Sequence, residues 1–220
     1  WERGWSFIKK AGTIILLSTI LVWFTSYFGF TDEGFRMLAE DELDQSILAA
    51  IGSAICWIFA PLGWGDWQAA SATVTGLIAK ENVVGTLAVV YSITNFIDTD
   101  ELALTGGANQ VAMTMGLTTV TALAYLMFNL YTPPCFAALG AMNSEMKSGK
   151  WLFGGICLQL ATGYTVAFAV YQIGTLITTG SLGTAFVPGM IAVLVFALII
   201  IWRIRKSDQE FAAEYSLHTA

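Results

Sequence analysis

The chain has 220 residues, 56% of them hydrophobic and only 12% charged, and its mean hydropathy is +0.67. A water-soluble domain carries about twice that charged fraction, so this chain needs lipid as part of its solvent. Its net charge of −6 argues against a nucleic-acid partner, and its single histidine, His218, rules out bis-histidine haem, H-E-x-x-H zinc proteolysis and a serine–histidine dyad within a helix bundle.

The chain opens at Trp1 without a signal-peptide pattern, and we read it as part of a longer protein extending on its N-terminal side. Residues 11–30 are uncharged between Lys9/Lys10 and Asp32/Glu33. A helix of that length rises about 30 Å, enough to cross a hydrocarbon core. Residues 31–45 read as an acidic loop or short helix. Residues 46–62 are apolar but short, end in Pro61 and Gly63, and are flanked by Trp57, Trp64 and Trp67. They read as an amphipathic helix at the membrane interface. Residues 67–91 are long enough to span, but Lys80, Glu81 and Asn82 interrupt them.

Residues 92–109 form a polar loop carrying Asp98, Asp100 and Glu101 and no base. Residues 110–142 are uncharged and would rise about 50 Å as one helix, too long for a straight span, so a break at 132–134 is expected. Residues 151–179 and 186–202 are uncharged spans, the second ending at Arg203, Arg205 and Lys206. The tail, 207–220, is polar and expected to fray. None of Cys56, Cys135 and Cys157 forms a C-x-x-C pair, so the plain reading is reduced thiols in apolar surroundings.

The distribution of positive charge sets the connectivity. Arg3/Lys9/Lys10, Lys147/Lys150 and Arg203/Arg205/Lys206 are expected on the cytoplasmic side, and the acidic loops 31–45 and 92–109 outside. Crossings at 11–30, 110–142, 151–179 and 186–202 satisfy that parity. Segment 67–91 then begins and ends outside, so it re-enters as a hairpin with Lys80-Glu81-Asn82 near its tip. A single crossing remains the alternative, because a loop without bases does little to fix orientation. The expected fold is all-α and polytopic: about four full spans, a re-entrant or broken helix pair, and an interfacial helix. Residues 1–206 form the membrane domain.

Two places carry chemistry. In the first, GLIAKENVVGT at 76–86, ionisable groups lie at membrane depth, where each costs about 2.5–3.5 kcal/mol to insert. Neighbouring residues on a helix do not face one another, so Lys80 and Glu81 each need a separate partner. Lys80, Glu81 and Asn82 are candidate transport or gate residues. The structural alternative is a tip at the interface with both charges snorkelling.

The second is YTPPC at 131–135. Pro133 and Pro134 lack the N–H groups that would bond the carbonyls of Asn129 and Leu130, so those oxygens are freed at membrane depth. Bare carbonyls at a helix break suit a cation. A new half-helix is expected to begin at Pro133, capped by Thr132, with Cys135 in its first turn, where the dipole favours thiolate. Cys135 beside these carbonyls is a candidate ligand for a borderline-soft divalent cation. Asn129, Leu130, Tyr131, Pro133 and Pro134 complete this candidate pathway. A structural kink with an inert cysteine is the alternative. Cys157 lies among Gly154, Gly155, Gln159 and Gly163, which reads as a helix-packing face.

At these motifs the chain resembles the C-terminal membrane half of the FeoB family of bacterial ferrous iron transporters. The matching stretches are ERGWSFIKKAGTII (2–15), PLGWGDWQA (61–69), GLIAKENVVGT (76–86), YTPPCFAA (131–138) and GYTVAF (163–168). The family commonly has one proline before the cysteine, so Pro133-Pro134 is a local variant. The resemblance implies an N-terminal GTP-binding domain ahead of two Gate-type repeats, the second at about 67–142. It implies Fe2+ as the transported substrate, with Cys135 and Glu81 as metal ligands and no catalysis in this chain. It also implies a cytoplasmic-membrane location with both ends of the chain inside. The implied partners are the bilayer, the G-domain and first repeat, a small FeoA-like protein, and a second copy. Gate resemblance extends to nucleoside permeases, so an organic solute is a second reading. A non-transporting anchor is a third, but it would need neither Lys80-Glu81 nor the double proline.

Overall fold

A computed structural model describes residues 2–31, 34–39, 42–78, 80, 83, 86–87, 97–98, 103–104 and 116–219. It is predominantly helical. Helix α1, Glu2–Tyr27, runs directly into strand β1, Phe28–Thr31, which pairs antiparallel with β2, Gly34–Met37. The expected acidic loop is therefore a β-ribbon followed by a 3-10 turn at Leu43–Gln45. Aromatic pairing explains the ribbon. Phe30 faces Phe35 across the strands, and the Phe35 ring also stacks on Phe28 at 5.6 Å. Arg36 donates to Glu42 at 2.7 Å, and that hydrogen bond holds the Glu42 carboxyl below its ordinary range. A second short ribbon pairs β3, Ile97–Asp98, with β4, Ala103–Leu104, within the stretch read as a loop.

Helix α2, Ile47–Phe59, begins at Ser46, whose hydroxyl accepts from the Ala49 N–H at 3.0 Å. A 3-10 turn, Ala60–Leu62, links it toward α3, Trp67–Ile78, and the Asp66 carboxylate accepts from the Ala69 N–H at the start of that helix. The segments Ile47–Leu62 and Trp67–Leu77 are bent by 98° at the break. Helix α2 is thus one arm of a bent pair and turns one face to α3. Its Leu48, Ala49 and Gly52 are buried, and the Ser71 hydroxyl of α3 donates to the Leu48 carbonyl at 3.1 Å. Small residues let the two backbones approach, and that contact replaces a lipid surface.

The expected break in 110–142 is present: α4, Thr119–Tyr131, and α5, Phe136–Met146, flank it. Helices α6, Gly149–Thr179, and α7, Phe186–Thr219, follow. The tail is helical through Thr219 rather than frayed, in keeping with its Glu, Gln, Ala and Leu content and its lack of Gly and Pro. Among the described residues, Gly149–Thr179 and Phe186–Lys206 are long and apolar enough to cross a membrane, and the bent pair passes the same test as a unit. Leu16–Tyr27 and Thr119–Tyr131 are shorter apolar helices.

The core lies where α4, α6 and the 59–64 corner meet. Trp64 is 1% exposed and meets Tyr125 edge-on at 5.1 Å and Phe128 at 5.8 Å. On α6, Gly163 lies under the Phe128 carbonyl and Thr132, while Ala167 is fully buried. Cys157 is exposed and nothing crowds Gly154 or Gly155, so of the face the sequence suggested the Gly163 end packs and the Gly154–Cys157 end does not.

Candidate functional site

The site is built by two chain reversals that meet. The first follows α3. The hydroxyls of Thr75 and Thr86 lie 2.9 Å apart although they are eleven positions apart in sequence. A continuous helix would separate their α-carbons by about 16 Å. The chain therefore doubles back between them, and Lys80 sits in a turn there. Gly76 permits the close return, since a β-carbon at that position would strike the Val83 side chain. The expected reversal near 80–82 thus has a geometric basis. Glu81 and Asn82 themselves lie outside the described residues.

The second reversal is the double-proline break. Helix α4 ends at Thr132, whose N–H donates to the Phe128 carbonyl at 3.0 Å. The next half-helix starts at Phe136 with Cys135 as its N-cap. This corrects the expectation of a start at Pro133 with Cys135 in the first turn. A residue before proline is pushed out of the helical region, and here both Thr132 and Pro133 precede a proline. Thr132 accordingly has ψ 159°, and Pro133 cannot open a helix. Thr132 serves as the C-cap of α4, not as the N-cap of α5.

One of the freed carbonyls, that of Asn129, is claimed by a cation, and that cation is Lys80. Its ammonium donates to the Asn129 carbonyl at 2.6 Å and to the Thr132 carbonyl at 2.9 Å. These short distances mark charge-assisted hydrogen bonds. The Thr132 hydroxyl is a second donor to the Asn129 carbonyl, at 3.1 Å. The Asn129 amide turns back to the Tyr125 carbonyl at 2.9 Å. The partner that Lys80 required is thus the backbone of the broken helix, 49 and 52 positions further along.

A cavity of about 700 Å³ opens at this junction. Lys80, Leu130, Tyr131, Thr132, Pro134 and Cys135 form one side, and Leu158, Gln159 and Thr162 of α6 form the other. The structure thus brings together Lys80, Leu130, Tyr131, Pro134 and Cys135, with the Asn129 carbonyl on Lys80. Pro133 is buried and contributes the break rather than a wall. Sequence reasoning missed Gln159 and Thr162 as site residues. The available signal was an amide within an apolar span, which is costly unless it has a use. The Gln159 Oε1 is buried without a hydrogen-bond partner. Among the described residues no group of three or more His, Cys, Asp or Glu stands together.

Membrane-length apolar helices, together with helices broken within apolar stretches, define an integral membrane protein. The Gate family, described as nucleoside recognition, matches residues 8–149, and the chain belongs to that family. The chain is similar to the Fe(2+) transporter FeoB of Staphylococcus aureus (strain COL), 32% identical over 177 residues, which are 80% of this chain and 24% of the relative. It is 36% identical over 180 residues to the FeoB of Methanocaldococcus jannaschii, covering 80% of this chain and 25% of that protein. It is 27% identical over 209 residues to a fusion of Fe(2+) transport protein A with FeoB from Porphyromonas gingivalis, covering 80% and 24%. The expected FeoB resemblance is borne out, and the chain spans about a quarter of the length of these relatives. No solved structure matches.

Proposed function

We propose that this chain forms the membrane pathway of a ferrous iron permease and carries Fe2+ toward the cytoplasm. The observation that carries the reading is the cavity at 130–135, where a proline-broken helix offers main-chain carbonyls next to Cys135. Ferrous iron is borderline in softness, and a mixed sulfur and oxygen set suits it. Affinity alone would rank copper and zinc higher, so selectivity would come from supply and from hard ligands. In this reading Cys135 and Glu81 bind the metal. Lys80, Asn82, Asn129, Leu130, Tyr131, Pro133 and Pro134 form the transport and gate region. The similarity to FeoB supports iron as the substrate.

The same reading extends to the whole protein. Residues 1–206 are its membrane domain, with a second Gate-type repeat at about 67–142. Four spans cross the cytoplasmic membrane with both ends inside, and 67–91 re-enters. GTP binding by a G-domain in the longer protein regulates opening, and this chain acts as a permease rather than an enzyme. A FeoA-like protein is a partner, which the fused relative supports, and a second copy is another.

A competing reading also has an observation behind it. Tyr131, Gln159 and Thr162 line a cavity large enough for an organic solute, and the matching family is described as nucleoside recognition. Uptake into proteoliposomes of the complete protein separates the two. Accumulation of Fe2+ but not uridine is expected, and the reverse pattern would remove iron from the account. Re-entry has its own test. Cysteines introduced singly at Gln68 and Asn95 should react with an impermeant maleimide from the outside only. Labelling of the two from opposite faces would mean that 67–91 crosses.

A further inference from the structure

We infer that Lys80 is a tethered cation that keeps the carbonyl site closed, and that a transported divalent cation enters only when the ammonium withdraws. The inference rests on the permease reading and assigns the gate within it. Three observations carry it. The ammonium already occupies what a metal would seek: Asn129 O, freed by Pro133, at 2.6 Å and Thr132 O at 2.9 Å. The surrounding wall presents the Cys135 sulfur and the unpartnered Gln159 Oε1, both acceptors. Lys80 comes from a different element, the reversal between Thr75 and Thr86, so it can leave without unwinding α4.

A lysine suits this role better than an arginine. Its ammonium is a compact charge on a flexible stem, and it binds carbonyl oxygens much as a small ion does. Two cations cannot share one pair of carbonyls, because at that separation they repel one another and compete for the same lone pairs. Occupancy by Lys80 and by metal is therefore mutually exclusive. The apparent affinity for metal falls by the fraction of time the site is free. Any event that withdraws the Lys80 ammonium opens the site without a new ligand having to be built.

The test uses the complete protein in proteoliposomes, with Fe2+ kept reduced and no GTP added. Lys80→Met keeps the length of the side chain and removes the charge. It is expected to raise GTP-independent Fe2+ uptake at least about fivefold and to lower the half-saturating Fe2+ concentration roughly tenfold. A second measurement uses the unaltered protein, in case the variant fails to fold. Bound Fe2+ should expose Lys80 and speed its acetylation by acetic anhydride several-fold, read by mass spectrometry. If wild-type uptake occurs and depends on Cys135, yet Lys80 acetylation is unchanged by Fe2+, Lys80 is a strut and this inference fails alone. A folded Lys80→Met protein with unchanged or lower uptake has the same meaning. If the wild type moves no iron, the permease reading fails and the gate falls with it.

Discussion

Cys135→Ser is expected to lower the initial rate of Fe2+ uptake by at least about tenfold while leaving the fold intact. Replacing the sulfur with a protonated hydroxyl removes the soft donor of the cavity, and loss of a well-placed group around a metal costs about 10–100-fold in affinity or activity. The fold should survive because Cys135 contributes no side-chain cap to α5, and the break is caused by Pro133 and Pro134. Serine is also a good N-cap, so α5 should be held at least as well. The controls are circular dichroism and elution from gel filtration, both expected to match the wild type. Normal iron transport by Cys135→Ser would take the thiol out of the mechanism and leave the carbonyls and Glu81 as the candidate ligands.

Gln172→Leu is expected to destabilise the domain by about 2–4 kcal/mol, because it strands two backbone groups. Gln172 is 4% exposed; its amide donates to the Pro61 carbonyl at 3.0 Å, and its Oε1 accepts from the Gly183 N–H at 2.9 Å. It thereby ties the 60–62 turn and the 180–185 connection to α6. A leucine fills the space but pairs with neither group. A thermal melt in detergent should show the midpoint falling by roughly 5–15 °C. Gln159→Leu on the same helix supplies the contrast. Its Oε1 lacks a partner, so the change should leave stability nearly unaltered and alter uptake instead. Equal melting losses for the two variants would mean that Gln159 is structural and not part of the pathway.

The sequence by itself determined the solvent, the places of the breaks and the identity of the chemical groups. A 12% charged chain with long uncharged runs must sit in lipid, and no tertiary detail is needed to say so. Two prolines in succession must interrupt a helix and free the carbonyls four residues back, because the missing N–H is a covalent fact. Lys80 at membrane depth must find a partner for the same local reason.

Tertiary structure decided which partner each group meets. Nothing in the sequence says that the Asn129 oxygen freed by Pro133 belongs to Lys80, 49 positions away. That pairing arises because the chain turns back after α3, with Thr75 and Gly76 at the reversal, and brings Lys80 to the end of α4. The ribbon at 28–37 was hidden for a similar reason, since its strands exist through cross-strand aromatic contacts rather than through a strong periodic pattern. Helix α2 read as an interfacial helix from its shortness and its flanking tryptophans, and only the fold shows that its small-residue face packs on α3. The two glutamines of α6 look alike in sequence. One is satisfied by backbone from two other segments and the other lines a cavity with its Oε1 unpartnered, a difference set by what packs opposite each. Local covalent chemistry can be read along the chain, while the satisfaction of a polar group depends on distant segments and is decided only when the helices close on one another.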